Sequence, residues 1–128
     1  MAGFRVRTLR GFTLIELLVV MAALSLLLAI TVPRYVEHVD RAREVVLRQN
    51  LAAVRESIDK FYSDRGRYPA ALQELVQAHY LRQIPLDPVS DRSDTWVLIP
   101  PVGGSTGVFD VRSGAIGVAR DGSSYASW

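Results

Sequence analysis

Among the side chains of this 128-residue chain that could do chemistry, Glu16 sits in the least accommodating surroundings. It lies near the start of an apolar run, residues 12–32, broken only by Thr13, Glu16, Ser25 and Thr31. A carboxylate in hydrocarbon costs roughly 2.5–3.5 kcal/mol at mid-bilayer on insertion scales, and less near the interface, so an acid kept there implies a partner. The other candidates follow no catalytic pattern. His38 and His79 form neither an HxxxH nor an HExxH pair and read as solvated helix residues. Asp87, Asp91 and Asp94 match no calcium-loop spacing and read as a solvated acidic turn. Residues 103–107, Gly-Gly-Ser-Thr-Gly, lack the lysine and the following helix of a phosphate loop and read as a hairpin turn. Ser113 lacks the Gly-x-Ser-x-Gly context of a nucleophile elbow and reads as a turn residue.

Composition narrows the function classes further. The absence of cysteine excludes disulfides, thiolate zinc sites and a cysteine nucleophile. The formal charge is +2, yet removing Arg5, Arg7 and Arg10 leaves twelve basic against thirteen acidic residues from Gly11 onward. The basic character belongs to the leader, so no basic stripe remains for nucleic acid. With no nucleophile, base or metal set in a recognisable arrangement, an enzyme is not expected.

The elements that position Glu16 follow from hydrophobic patterning. As a helix, the 21 residues of the apolar run reach roughly 31 Å, enough to span a bilayer core. The run is longer than the 7–15 residues of a typical signal-peptide apolar region. It ends Thr31-Val32-Pro33-Arg34-Tyr35 rather than in small residues, so an uncleaved single span is expected. Beyond it, Leu47, Leu51, Val54, Ile58 and Phe61 recur at steps of four and three, one face of an amphipathic helix, and Val36, Val39 and Val46 continue it toward the membrane. Arg48, Arg55, Glu56, Asp59 and Lys60 fall on other faces, with Glu56 and Lys60 as an i,i+4 pair. One helix over 12–62, kinked at Pro33, is the most economical reading. Gly66 suits a left-handed cap, Pro69 the first turn of a short helix over 70–80, and Leu72, Leu75 and Val76 its buried side. Strands are predicted at 96–99 and 108–111, with a short third strand around Ile116, Val118 and Ala119. The fold class is therefore α+β: a long N-terminal helix packed on a small head with a short helix and a small antiparallel sheet.

Gly11-Phe12-Thr13-Leu14-Ile15-Glu16 after a short basic leader, followed by a long apolar helix with a proline near its end, resembles the prepilin class of type IV pili and type II secretion pseudopilins. Tyr62, Gly66, Tyr68-Pro69, Leu72, Leu75-Val76, Tyr80-Leu81, Ile84-Pro85, Asp87-Pro88 and the tail from Asp110 to Trp128 are similar to the major pseudopilins of type II secretion, a pilin-like fold. The resemblance divides the chain into a leader (1–11), a transmembrane half of the long helix (12–33), an amphipathic half (34–62) and a periplasmic head (63–128). It implies that a prepilin peptidase cuts between Gly11 and Phe12, that Phe12 becomes N-methylated, and that Glu16 engages the N-terminal amine of a neighbouring subunit. An approach of Glu16 to its own amine, four residues away, is the alternative. The implied product is a helical homo-oligomer, a pseudopilus, anchored in the bacterial inner membrane and built with other pseudopilins and an inner-membrane assembly platform. A pilus pilin and a signal-anchored periplasmic binding domain are the competing readings. The resemblance also implies calcium held by acidic residues of the C-terminal loop. Ile116 stands where one such acid is expected, leaving Asp110, Asp121 and backbone carbonyls as candidate ligands. Hard cations need several oxygens, so no cofactor is assigned.

Overall fold

The computed structural model describes residues 3–4 and 11–128, so the leader arginines Arg5, Arg7 and Arg10 lie outside the described residues. Helix α1 spans Leu14–Arg65 and runs on through Pro33. It begins two residues later than the sequence predicts, because Thr13 serves as its cap: the Thr13 Oγ1 accepts the Glu16 N–H at 3.2 Å. Its end lies three residues later than expected, at Arg65, and is closed by Gly66, whose φ of 68° and N–H donated to the Tyr62 carbonyl at 2.8 Å complete the turn.

The chain divides into two units, Met1–His38 and Val39–Trp128. In the first, every described large apolar residue from Phe12 to Val36 is exposed. This stretch of α1 has no core of its own and is long and apolar enough to cross a membrane. Its neutral polar side chains are satisfied locally: Ser25 Oγ and Thr31 Oγ1 each donate to the carbonyl four residues back, at 2.8 Å.

The second unit is built on the predicted stripe. Leu47, Leu51, Val54, Ile58 and Phe61 are all buried, joined by Leu72, Leu75, Trp96, Val108 and Val111. The Glu56–Lys60 pair forms at 3.2 Å. Helix α2 is shorter than expected, Leu72–Gln77. It closes on Tyr80 N–H to Leu75 carbonyl and His79 N–H to Val76 carbonyl bonds, with His79 at φ 66° in the position glycine usually takes. His79 is thus exposed, as expected, but sits in the cap rather than on the helix.

Strands β1 (Val97–Ile99) and β2 (Asp110–Arg112) pair antiparallel in the register Val97–Arg112, Leu98–Val111 and Ile99–Asp110. The glycine-rich stretch is the loop of this hairpin, as predicted. No third strand forms among the described residues; Val118 and Ser124 make a single bridge. The cause is local. A Cβ at Gly114 would run into the Thr95 carbonyl oxygen, and Gly117 at φ 130° and Gly122 at φ 88° turn the chain before an extended run can develop. The tail ends in a 3₁₀ turn, Tyr125–Ser127.

Candidate assembly site

At the head of α1, Gly11 and Phe12 precede the first helical turn, and Phe12 is 93% exposed. Glu16 takes the third helical position, with its backbone N–H held by Thr13. Its side chain meets no hydrogen-bonding or charged partner among the described residues. It lines an open groove of about 420 Å³ with Phe12, Thr13, Leu14, Leu17 and Val20, and is the one charged residue there. The positive end of the helix dipole favours an acid in this turn by about 0.3–1 kcal/mol. That is smaller than the cost of a carboxylate deep in hydrocarbon, so the dipole does not replace a cationic partner.

The polar side chains of the head gather elsewhere. Asp87, read from sequence as part of a solvated turn, is fully buried. Its Oδ1 accepts the N–H groups of Val89 and Ser90 at 2.9 and 3.3 Å, and its Oδ2 accepts the Ser113 hydroxyl at 2.6 Å. Ser113, also fully buried, in turn accepts the Ala115 N–H at 3.1 Å. Neither is a solvated turn residue; together they tie the loop after α2 to the segment after β2. The Asp-Pro-Val-Ser sequence could have signalled the Asx turn at Asp87, whereas nothing local announces its partner 26 residues away. Asp91 and Asp94 are exposed, and Asp94 pairs with Arg92. His38, like His79, is exposed.

The two candidate calcium ligands engage different groups. Asp110 on β2 accepts from Arg55 Nε at 2.8 Å and from the Val111 N–H at 2.7 Å. Asp121 accepts the Ser123 N–H and hydroxyl at 2.9 and 2.6 Å, which with the charge of nearby Arg48 holds its carboxyl below the usual range. Burial, with the negative charge of Glu44 beside it, pushes the Tyr125 hydroxyl up. Among the described residues no three His, Asp or Glu side chains gather to share an ion. An unexpected role falls to Glu44 and Arg48, one turn apart on α1, which reach the C-terminal loop.

Comparison with known proteins bears on the same two regions. The family described as "Prokaryotic N-terminal methylation motif" matches residues 7–32. The chain is 30% identical to Type II secretion system core protein G of Klebsiella pneumoniae, over 93% of this chain and 94% of that protein. It is also 30% identical to Type II secretion system core protein G of Pseudomonas aeruginosa, over 80% of each chain. Similarity to Type IV major pilin protein PilA of Myxococcus xanthus, 35% identical, covers 52% of this chain and 30% of that pilin. No solved structure matches. The PilA similarity is partial, whereas the secretion proteins match helix and head alike at 30% identity, and on that similarity the chain belongs to the family of the type II secretion system core protein G, the pseudopilins.

Proposed function

We propose that this chain is a non-catalytic structural subunit, cut between Gly11 and Phe12 and methylated on the new Phe12 amine, that polymerises through its long helix into a periplasmic pseudopilus. Before assembly it is anchored in the bacterial inner membrane by the apolar half of α1, with the head on the periplasmic side. The prepilin peptidase, other pseudopilins and the inner-membrane assembly platform are its partners. Pro33 supplies the point at which the shaft can bend, since its missing N–H removes one helical hydrogen bond.

One observation carries this reading: a carboxylate with no partner among the described residues, in the first turn of an apolar helix that has no core of its own, four residues after Phe12. Cleavage creates a cationic amine on Phe12. In a medium of low dielectric, that amine on one subunit and Glu16 on the next attract strongly and relieve each other's burial. Full-length similarity to core protein G favours the secretion filament over the pilus reading.

Intact-mass measurement on membranes containing the prepilin peptidase should find a chain beginning at methylated Phe12; exclusively full-length or downstream-cut protein would refute the cut. Glu16→Ala should abolish filament formation while leaving the head's melting temperature unchanged. Normal incorporation of Glu16→Ala into filaments would remove the register role while leaving the cut intact.

A further inference from the structure

The C-terminal loop of the head is where the family resemblance implies a calcium ion, and the residues present do not fit one. Ile116, 98% exposed, supplies no side-chain oxygen. Both carboxylate oxygens of Asp121 already accept hydrogen bonds, one from Ser123 and one from Arg48 Nη2 at 3.4 Å. Three carbonyls of the loop each already accept a hydrogen bond from the loop's own backbone. Ala119 accepts from the Gly122 N–H at 3.0 Å, Ser123 from the Ala119 N–H at 2.7 Å and Gly117 from the Tyr125 N–H at 3.2 Å. Calcium takes six to eight oxygens at about 2.3–2.6 Å and tolerates no adjacent cation well.

A cation is nevertheless present, as part of the chain. The Arg48 guanidinium lies 4.2 Å from the centroid of the Trp128 ring while it bonds Asp121. One helical turn earlier, Glu44 Oε1 accepts the Arg120 N–H at 2.9 Å and the Tyr125 hydroxyl at 3.3 Å. Trp128 Nε1 donates to Ser123 Oγ at 2.8 Å, and the Tyr125 and Trp128 rings meet edge to face at 5.2 Å. The i,i+4 spacing of Glu44 and Arg48 presents an acceptor and a donor together, beside the buried Leu47 and Leu51 that fix their helix against the head.

We propose that Glu44 and Arg48 latch the C-terminal loop in place of a divalent cation, so that this head closes its loop without calcium. The latch is a side-chain device carried by α1. Its ion pair is more than half exposed on both sides, at 61% and 56%, so it is screened by salt of any kind rather than set by one metal.

Loop closure is read in the dispersed monomer and stands apart from assembly. The full chain in detergent is followed by hydrogen exchange at the Arg120 and Ser123 amides, with the Leu51 amide as a core reference, in EDTA, in calcium chloride and in sodium chloride of matched ionic strength. Protection at both amides should be the same in calcium and in matched sodium chloride, and the melting temperature should not change on adding EDTA. Glu44→Ala should speed exchange at Arg120 by about tenfold and Arg48→Ala should speed it at Ser123, both leaving Leu51 protected. Calcium-specific protection or a calcium-specific rise in melting temperature would overturn the proposal, as would unchanged loop exchange in both variants. The wild-type comparison decides the metal question even where a variant fails to fold.

Discussion

Replacing Asp87 with alanine removes the acceptor of three donors at once: the Ser113 hydroxyl and the Val89 and Ser90 N–H groups. Ser113 is fully buried, and a stranded buried donor costs about 1–3 kcal/mol. The two backbone donors, in half-buried residues, add less, and relief from burying a carboxylate offsets part of the total. The expected loss is about 2–4 kcal/mol. A unit such as Val39–Trp128 has on the order of 5–13 kcal/mol of stability, so the loss is a large fraction of it. For a unit of this size it lowers the melting temperature by roughly 10–25 °C. Asp87→Asn keeps the Oδ1 acceptor and puts an amide donor opposite a hydroxyl that can still accept, so it should cost only about 1 kcal/mol. Denaturant unfolding of the full chain in detergent, followed by tryptophan fluorescence, measures both variants. Trp96 reports directly, since its indole N–H bonds the Pro85 carbonyl at 2.8 Å at the start of the same loop. An Asp87→Ala chain within about 0.5 kcal/mol of wild type would refute the reasoning, because surface substitutions fall in that range.

Two further outcomes follow from backbone and charge. His79→Gly should raise stability by about 1 kcal/mol in the same unfolding assay, because a non-glycine residue in the left-handed region costs about 1–2 kcal/mol and glycine does not pay it; a destabilised variant would contradict the cap assignment. The Asp121 carboxyl is held low in the folded head, mainly by Ser123, so its contribution is fully present above the ordinary carboxylate value of about 3.9 and is lost as pH falls through the lowered folded value. Ser123→Ala should move the Asp121 titration, followed by NMR, up toward that ordinary value; an unmoved titration would show that Ser123 is not the cause.

Patterns of fixed period or fixed turn chemistry were readable without coordinates. The buried stripe of α1 repeats at helical steps, Gly66 marks the left-handed stop, and the glycine-rich loop separates two strand-like runs, so helix, cap and hairpin lie where expected. Contacts between distant segments were not readable. Asp87 looks like any acid in a polar loop until Ser113 is folded over it. Glu44 and Arg48 look like solvated helix charges until the tail reaches them. The missing third strand is a tertiary effect: Ile116, Val118 and Ala119 have strand-like side chains, but the close approach of Gly114 to Thr95 and the turns at Gly117 and Gly122 take the backbone elsewhere. His79 misled for the opposite reason, filling a cap position where glycine would have shown the true end of α2.

The placement of Glu16 also orders the events of assembly in the proposed reading. Before the cut, the nitrogen of Phe12 belongs to a neutral peptide bond, and the helix dipole offsets only about 0.3–1 kcal/mol of a cost that reaches roughly 2.5–3.5 kcal/mol deep in hydrocarbon. An uncut subunit packed among apolar shafts would therefore strand up to about 3 kcal/mol per Glu16, a penalty repeated at every subunit of a filament. Ser25 and Thr31 carry no such penalty, because each returns its hydrogen bond to its own helix. The single polar group in the run without that local solution is the one that cleavage can satisfy, and this makes processing a thermodynamic condition for stacking. A chain with Gly11 altered to block the cut should accumulate as membrane-anchored monomer with a normally folded head. Filaments built from uncut chains would show that Glu16 finds its cation elsewhere.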